Sequence, residues 1–141
     1  STQKQYANIQ AMLGGIGAIS LLVAAIGITN TMMMSIYERT KEIGVMKVLG
    51  CDMRNIQAMF LMEAADIGLV GGIVGLGISY LISMIINKVV AASGNMSSLS
   101  YIPLWLAGAS VIFAVVIGMA AGYFPSKRAM KLSPLAAIRN E

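Results

Sequence analysis

Few residues in this 141-residue sequence have the types and spacing that catalysis requires. The chain has no histidine, so it lacks both the commonest general base and the commonest metal ligand. Its single cysteine, Cys51, stands beside Asp52 and Arg54, and this spacing fits no zinc site. We therefore predict no catalytic residue, no metal site and no bound cofactor in this chain, and we interpret Cys51 as structural.

Nucleotide and nucleic-acid binding find little support in the sequence. The phosphate-binding pattern G-x-x-x-x-G-K-[ST] does not occur in it. Gly75 and Gly77 resemble part of a dinucleotide loop, but they lie in an apolar stretch with no strand pattern before it. The net charge is +4, yet the basic residues are not clustered with aromatic residues on a soluble face, so we expect no nucleic-acid partner.

Charged residues are instead concentrated in residues 38–50, ERTKEIGVMKVLG, between two long apolar segments. A stretch this polar cannot lie in hydrocarbon, so it must project from a membrane into water and contact a partner there. We interpret it as a mechanical coupling element. Its polar and turn positions are Glu38, Arg39, Lys41, Glu42, Lys47 and Gly50.

The composition, 57% hydrophobic and 11% charged, is typical of a membrane protein. Three charge-free stretches of spanning length predict an all-α integral membrane protein with three transmembrane helices, A, B and C. Helix A with a cytoplasmic stalk is predicted at residues 9–50, helix B at 64–88 and helix C at 103–124. A short amphipathic helix is predicted between A and B at residues 51–63, and an external loop between B and C at 89–102. Residues 1–8 are predicted as the end of an external region, and residues 125–141 as a cytoplasmic tail with a short helix.

The orientation follows from the positions of Lys and Arg. The loop between helices A and B and the tail carry four basic residues each, whereas the other ends carry only Lys4 and Lys88. By the positive-inside rule, the loop and the C-terminus are cytoplasmic and the N-terminus of this chain is external. An external N-terminus needs an upstream membrane segment to deliver it, so we expect the natural polypeptide to be longer.

Helix A is predicted to run unbroken over residues 9–49, about 60 Å at ~1.5 Å per residue, against a hydrocarbon core of ~30 Å. About half of it would then stand in the cytoplasm as a rigid stalk. Gly50 is suited to end this helix in the left-handed conformation, and Asp52 is suited to cap the next one. Glu63 and Asp66 either favour the start of helix B, or one of them pairs with Lys47 or Arg39 to brace the stalk.

The short helix at residues 53–60 is amphipathic and too short to be stable alone, so it requires a partner. That partner is either the membrane surface or a groove of a cytoplasmic protein. The residues predicted to make this contact are Asp52, Met53, Arg54, Ile56, Gln57, Met59 and Phe60.

Small residues at helical spacing predict where the membrane helices approach closely. The predicted packing positions are Gly17, Ser20, Ala24 and Gly27 in helix A, Gly68, Gly72 and Gly75 in helix B, and Ala114 and Gly118 in helix C. They indicate a bundle interior or, along helix A, a dimer interface. The charge-free stretches of the three helices contain no Asp, Glu, Lys, Arg or His, which argues against a proton-coupled or ion-coupled carrier.

The tail combines basic and apolar residues. Lys127, Arg128 and Lys131 are suited to the anionic inner leaflet of the membrane. Ser133 and Pro134 predict the start of a last short helix. Its residues Leu135, Ile138 and Arg139 are expected to contact a partner or the stalk.

Two separated motifs resemble those of one known family. They are YERTKEIGVMKVLG at residues 37–50, and PSKRA followed by LSPLAAIR within residues 125–139. Between them lie a short helix with Phe60 and Glu63 and the glycine-rich residues 68–77. This order resembles the C-terminal three-helix part of the MacB and FtsX-like permeases of ABC transporters, over nearly the whole chain.

The resemblance implies a non-catalytic permease of the bacterial cytoplasmic membrane that acts as a homodimer or heterodimer over a pair of ABC ATPase subunits or domains. That partner would bind ATP and Mg²⁺, and residues 53–60 would be the coupling helix seated on it. Motion of the stalk would then reach an extracytoplasmic domain and drive export of peptides, antibiotics or lipoproteins. The alternative is a regulatory module that activates a cell-wall hydrolase or a sensor kinase; a stand-alone channel is disfavoured because the spans lack charges.

Overall fold

The structure, a computed structural model, describes residues 2–94 and 100–131. These residues form four α-helices and no strand: α1 (Thr2–Glu38), α2 (Thr40–Val48), α3 (Met53–Ala92) and α4 (Leu104–Met130). Three of them, α1, α3 and α4, are long and apolar enough to cross a membrane. The prediction of an all-α membrane protein with three spanning helices is therefore confirmed.

Helices α3 and α4 form an antiparallel pair whose backbones touch at small residues. A Cβ atom added at Gly68 would lie 2.5 Å from the carbonyl oxygen of Ala114, and one added at Gly118 would lie 2.7 Å from that of Ala64. Gly72 also packs against the Ala114 methyl group. Since no hydrophobic drive holds helices together in lipid, such close contact supplies the dispersion energy of association. Gly75, predicted to share this contact, faces open space.

Helix α1 joins the bundle only through the half that ends at Glu38. Met32 and Ile36 are buried, whereas residues 2–24 are exposed within the chain. The small residues predicted to pack in helix A are all on exposed positions, and a Cβ at Gly17 or Gly27 would contact nothing. The stripe therefore does not form an interior within one copy of this chain.

Helix α4 continues past Pro125, although the sequence predicts its end at residue 124. Proline has no N–H, so it leaves the carbonyl of Ala121, one turn earlier, without its helical donor. The Thr29 hydroxyl of α1 lies 2.9 Å from that carbonyl oxygen and can donate to it, and it lies equally close to the Ala25 oxygen of its own helix. A neighbouring helix thus satisfies the backbone group that the proline exposes, and α4 remains helical to Met130.

This replacement bond predicts a specific coupling between Thr29 and Pro125. Thr29→Val should lower the free energy of unfolding of the purified permease by about 1 kcal/mol, the usual contribution of a hydrogen bond. In a Pro125→Ala background the cost should fall, because the substituted alanine brings its own N–H to the Ala121 carbonyl. Denaturant titration of the four proteins of this double-mutant cycle measures the coupling.

Thr31→Val is the matched control for this cycle, since among the described residues the Thr31 hydroxyl bonds within α1 alone, to the carbonyl of Gly27 at 2.9 Å. Its small effect should be the same with and without Pro125. An equal cost of Thr29→Val in both backgrounds would show that the interhelical bond does not replace the lost one.

The stalk is not the unbroken extension of the first helix that the sequence predicts. The helix breaks at Arg39, whose φ of −101° and ψ of 13° are not helical, and α2 begins at Thr40. The Thr40 hydroxyl lies 3.0 and 2.9 Å from the carbonyl oxygens of Ile36 and Tyr37 and can donate its one hydrogen to either, a local bond that competes with the helical backbone. Beyond the break, Ile43 is fully buried. The prediction that one helix runs unbroken over residues 9–49 was wrong.

The turn after α2 follows local sequence signals. Gly50 has a φ of +90°, and the N–H groups of Gly50 and Cys51 donate to the carbonyls of Lys47 and Met46 at 3.1 and 2.9 Å, a Schellman motif. Asp52 caps the next helix, its carboxylate accepting from the N–H of Arg54 at 3.4 Å. Both caps agree with the sequence, but the short amphipathic helix and helix B form one helix, α3, because no residue between them interrupts it.

At the other end of the bundle, Asn87 of α3 holds the chain that enters α4. Its side-chain amide donates to the Ser100 carbonyl at 2.9 Å and accepts from the Ser100 N–H at 3.0 Å. The Ser83 hydroxyl bonds that of Ser100 at 2.8 Å. These bonds fix the separation of α3 and α4 at this end, which we call the Ser100 end; the end with the Gly50 turn is the Gly50 end.

Candidate functional site at the Gly50 end

The Gly50 end contains one buried apolar cluster that joins all four helices. Because its members come from every helix, α2 and the first turns of α3 are fixed to the membrane bundle rather than extending freely from it. The members are Met32, Ile36, Ile43, Ile56, Phe60, Ala64 and Ala129.

Two residues predicted for the partner contact lie inside this cluster. Ile56 is 1% exposed and Phe60 is fully buried, so neither offers a surface to another protein. Sequence reasoning missed this because it treated residues 53–60 as a separate helix. The signal was present: Ile56, Phe60 and Ala64 recur every four residues and continue into the glycine face of α3, which indicates one inner face along a single helix.

The remaining predicted contact residues lie on or near the surface. Asp52, Arg54 and Met59 are exposed, and Gln57 is half-buried. Met53 begins α3 directly after the turn and is 54% exposed. The predicted contact set thus divides into an inner pair and an outer group, and only the outer group is available to a partner.

The tip of the structure carries four exposed apolar side chains, of which only Met53 was among the residues predicted for the partner contact. Val48 is 63% exposed and Leu49 is 80% exposed, and Met53 follows across the Gly50 turn. Val45 precedes them on α2 and is 46% exposed. A cluster of this kind, outside the charge-free spans and between charged residues, is typical of a protein contact site. We call these four residues the apolar tip.

A groove lies beside the apolar tip, between α2 and the start of α3. Its volume is about 650 Å³, with an apolar floor and a charged rim. Its rim is formed by four of the predicted stalk residues. The lining residues are Glu38, Arg39, Lys41, Glu42, Ile43, Val45, Met46, Met59 and Phe60.

Lys47, predicted as part of the stalk surface, instead ties α2 to α4. Its ammonium group donates to the carbonyl oxygens of Ala129 and Met130 at 3.0 and 2.7 Å. A cation at the C-terminus of a helix satisfies carbonyls that lack helical donors and opposes the negative end of the helix dipole. Desolvation by burial lowers the pKa of Lys47 below its ordinary value. Movement of α2 is thereby linked directly to the end of α4.

Arg39 pairs with Glu63, which is one of the two alternatives left open by the sequence. The guanidinium and carboxylate atoms are 3.5 Å apart, and the side chains are 46% and 34% exposed. A pair in such contact with solvent contributes at most about 1 kcal/mol. It braces the break after α1 against α3 but is not the main source of stability there.

Within the described residues, no group of three or more His, Cys, Asp or Glu side chains is placed to hold a metal ion. Cys51 is exposed in the turn. The predicted tail contacts Leu135, Ile138 and Arg139 lie outside the described residues. What the site offers is therefore an apolar contact surface with fixed connections to all three membrane helices.

Known proteins match this chain over most of its length. Residues 14–134 match the family model of the FtsX-like permease C-terminal domain. The chain is 42% identical to an uncharacterized ABC transporter permease of Methanocaldococcus jannaschii over 90% of its own length and 32% of that protein. It is 40% identical to the ABC transporter permease YtrF of Bacillus subtilis, covering 89% of the chain and 31% of YtrF.

A third relative is the macrolide export ATP-binding/permease protein MacB of Neisseria gonorrhoeae. It is 37% identical over 95% of this chain and 20% of its own length. The chain therefore spans about a third or less of the length of the relatives it matches. The family model covers most of the chain and includes residues of all four helices described above. This chain belongs to the FtsX-like permease family of ABC transporters.

Proposed function

We propose that this chain is the non-catalytic part of a permease that couples ATP binding and hydrolysis by an ABC ATPase to movement across the membrane. The apolar tip carries this proposal. Exposed apolar clusters mark contact sites for a protein or a membrane, and this one lies outside the charge-free spans and between charged residues, which favours a protein. The relatives support it: they are named as ABC transporter permeases, and MacB is named as an ATP-binding and permease protein. ATP and Mg²⁺ would be bound by the ATPase, fused or separate.

The Gly50 end faces the cytoplasm in this proposal. The described basic residues support that orientation, since seven of them lie at the Gly50 end and only Lys4 and Lys88 lie toward the other. The seven are Arg39, Lys41, Lys47, Arg54, Lys127, Arg128 and Lys131. The chain would thus be a multi-pass protein of the bacterial cytoplasmic membrane, with its first residues external.

The contact with the ATPase is formed by α2 and the Gly50 turn, with Met53 and Arg54 of the predicted set. Force applied there has two routes into the membrane. Ile43 transmits it into the buried cluster that includes Met32 and Ile36 of α1, and Lys47 transmits it to the end of α4. The element that moves is therefore α2, which is linked to the bundle through Ile43 and through Lys47. The break at Arg39 lets α2 move relative to α1.

We assign dimerisation of the permease to the exposed small residues of α1. The small residues Gly17, Ser20, Ala24 and Gly27 are exposed in one copy of the chain and suit close approach of a second helix in lipid. Two permease copies, identical or different, would place two apolar tips over a pair of ATPases. Export of peptides, antibiotics or lipoproteins is the transport role we assign to this assembly; the name of MacB refers to macrolide export by that protein.

Leu49→Asp in the complete permease polypeptide should weaken its complex with the ATPase. A charge placed in the centre of an apolar contact costs about 2 kcal/mol or more, which is about 30-fold in Kd. Co-purification of the ATPase and its hydrolysis rate in proteoliposomes measure the effect. Met53→Asp should act in the same direction.

Tyr101→Asp is the matched control, because Tyr101 is 81% exposed at the Ser100 end. It should leave both measurements unchanged. Normal ATPase recovery with Leu49→Asp and Met53→Asp together would rule out the tip as the contact.

A further inference from the structure

The last turns of α4 carry a face of aromatic and basic residues that the described helices leave uncovered. Its members recur at steps of three and four residues, so they share one side of the helix. They line a surface cavity of about 370 Å³. The members are Tyr123, Phe124, Lys127, Arg128 and Lys131, which we call the basic aromatic face.

The packing of α4 fixes the direction of this face. On the opposite side of the same turns, Gly122, Pro125, Ser126 and Ala129 are all buried against the other helices. The helix cannot rotate to cover the basic aromatic face without exposing these residues. The face is therefore directed away from the bundle.

Charge on this face is not balanced by the described part of the chain. Lys127, Arg128 and Lys131 have no carboxylate within salt-bridge distance among the described residues. An arginine guanidinium can bind a phosphate through two parallel hydrogen bonds, and lysines add positive charge around it. The chemistry of the face is thus suited to a phosphate group.

The depth of the face selects the source of that phosphate. From Leu104 to Ser126 α4 has no charged residue, a length of about 33 Å at ~1.5 Å per residue, close to the thickness of a hydrocarbon core. Tyr123 and Phe124, 51% and 63% exposed, lie at the end of this span, where aromatic residues mark the membrane interface. The cations lie one turn further, at headgroup depth.

The geometry points to a binding site for an anionic glycerophospholipid on the basic aromatic face. The lipid phosphate contacts Arg128 and the two lysines, and its acyl chain lies along Phe124 and Tyr123. A soluble acidic protein matches the cations but not the aromatic rings at the edge of the hydrocarbon. Binding at this site does not depend on the proposed coupling to an ATPase, so the permease alone can be tested.

The test is lipid binding to the complete permease, purified in detergent and delipidated. Phosphatidylglycerol or phosphatidylcholine is added, and the bound lipid is counted by native mass spectrometry. The wild type should retain phosphatidylglycerol in preference to phosphatidylcholine. The triple variant Lys127→Gln, Arg128→Gln, Lys131→Gln should bind phosphatidylglycerol at least about 10-fold more weakly, because each basic residue contributes to attraction at an anionic surface.

A second variant keeps the charge and removes only the forked geometry. Arg128→Lys should lose part of the preference for phosphatidylglycerol, whereas Lys88→Gln, at the other end of the bundle, should lose none. Phe124→Ala should weaken retention of the lipid while leaving its charge preference.

Three outcomes would overturn the site: equal retention of the two lipids by the wild type, unchanged phosphatidylglycerol binding by the triple variant, or displacement of the lipid by excess inorganic phosphate or by the soluble ATPase. Either of the first two outcomes would leave the basic aromatic face with general membrane attraction alone. Displacement by inorganic phosphate would assign the face to free phosphate, and displacement by the ATPase would assign it to a protein partner.

Discussion

Gly118→Ala should force α3 and α4 apart and lower the free energy of unfolding of the permease by about 2 kcal/mol or more. The new methyl group would lie 2.7 Å from the carbonyl oxygen of Ala64 and close to the backbone of Gly68. These are backbone atoms, so no side chain can rotate away to make room. Gly68→Ala should behave similarly, because its methyl group would lie 2.5 Å from the carbonyl oxygen of Ala114.

Denaturant titration in mixed micelles, followed by circular dichroism, measures this loss. Gly75→Ala is the matched control in α3, since a Cβ there meets nothing within 4 Å. Alanine is preferred over glycine within helices by up to about 1 kcal/mol, so this variant should be neutral or slightly more stable. Equal destabilisation by Gly75→Ala and Gly118→Ala would contradict close packing as the cause.

Phe60→Ala should remove the largest side chain of the buried cluster at the Gly50 end and cost about 3–5 kcal/mol of unfolding free energy. The loss should appear in the permease without any ATPase, because the contacts of Phe60 lie within the chain. Met59→Ala, its neighbour on the exposed side of α3, should cost less than about 1 kcal/mol. The same titration measures both variants.

A comparison of Phe60→Ala with Leu49→Asp also tests whether residues 53–60 act as the sequence predicts. If Phe60 contacts a partner, Phe60→Ala should leave the isolated permease stable and weaken ATPase recovery. If Phe60 packs within the bundle, Phe60→Ala should destabilise the isolated permease at the Gly50 end. Leu49→Asp should then weaken the complex with the ATPase while the permease itself stays folded. If the Phe60→Ala permease is as stable as the wild type, Phe60 belongs to the partner contact, as the sequence predicts.

The features that could be predicted from the sequence are those that depend on a residue and its neighbours along the chain. Hydrocarbon excludes charge and unpaired backbone groups, so charge-free stretches predicted three membrane helices directly from composition. The end of α2 at Gly50 and the start of α3 after Asp52 depend on the conformational freedom of one glycine and one side-chain acceptor. Both signals are local, and both agree with the structure.

Other features depend on which helix lies beside each residue. A proline such as Pro125 commonly ends a helix in water, but here Thr29 of α1 supplies a donor to the carbonyl that the proline exposes. Gly75 and Gly118 have the same chemistry, yet only Gly118 faces a neighbouring backbone. Neither difference is encoded near the residue itself, because each requires the position of a second helix.

The sequence by itself determined that this chain spans a membrane three times, where its polar loop lies and, through two motifs, its family. Only the tertiary structure decided that the helix breaks at Arg39, that Ile56 and Phe60 face inward and that Leu49 faces outward. The physical reason is that lipid-facing and interior residues of a membrane bundle are both apolar. Polarity therefore shows which segments enter the membrane, but packing selects the face that each helix buries.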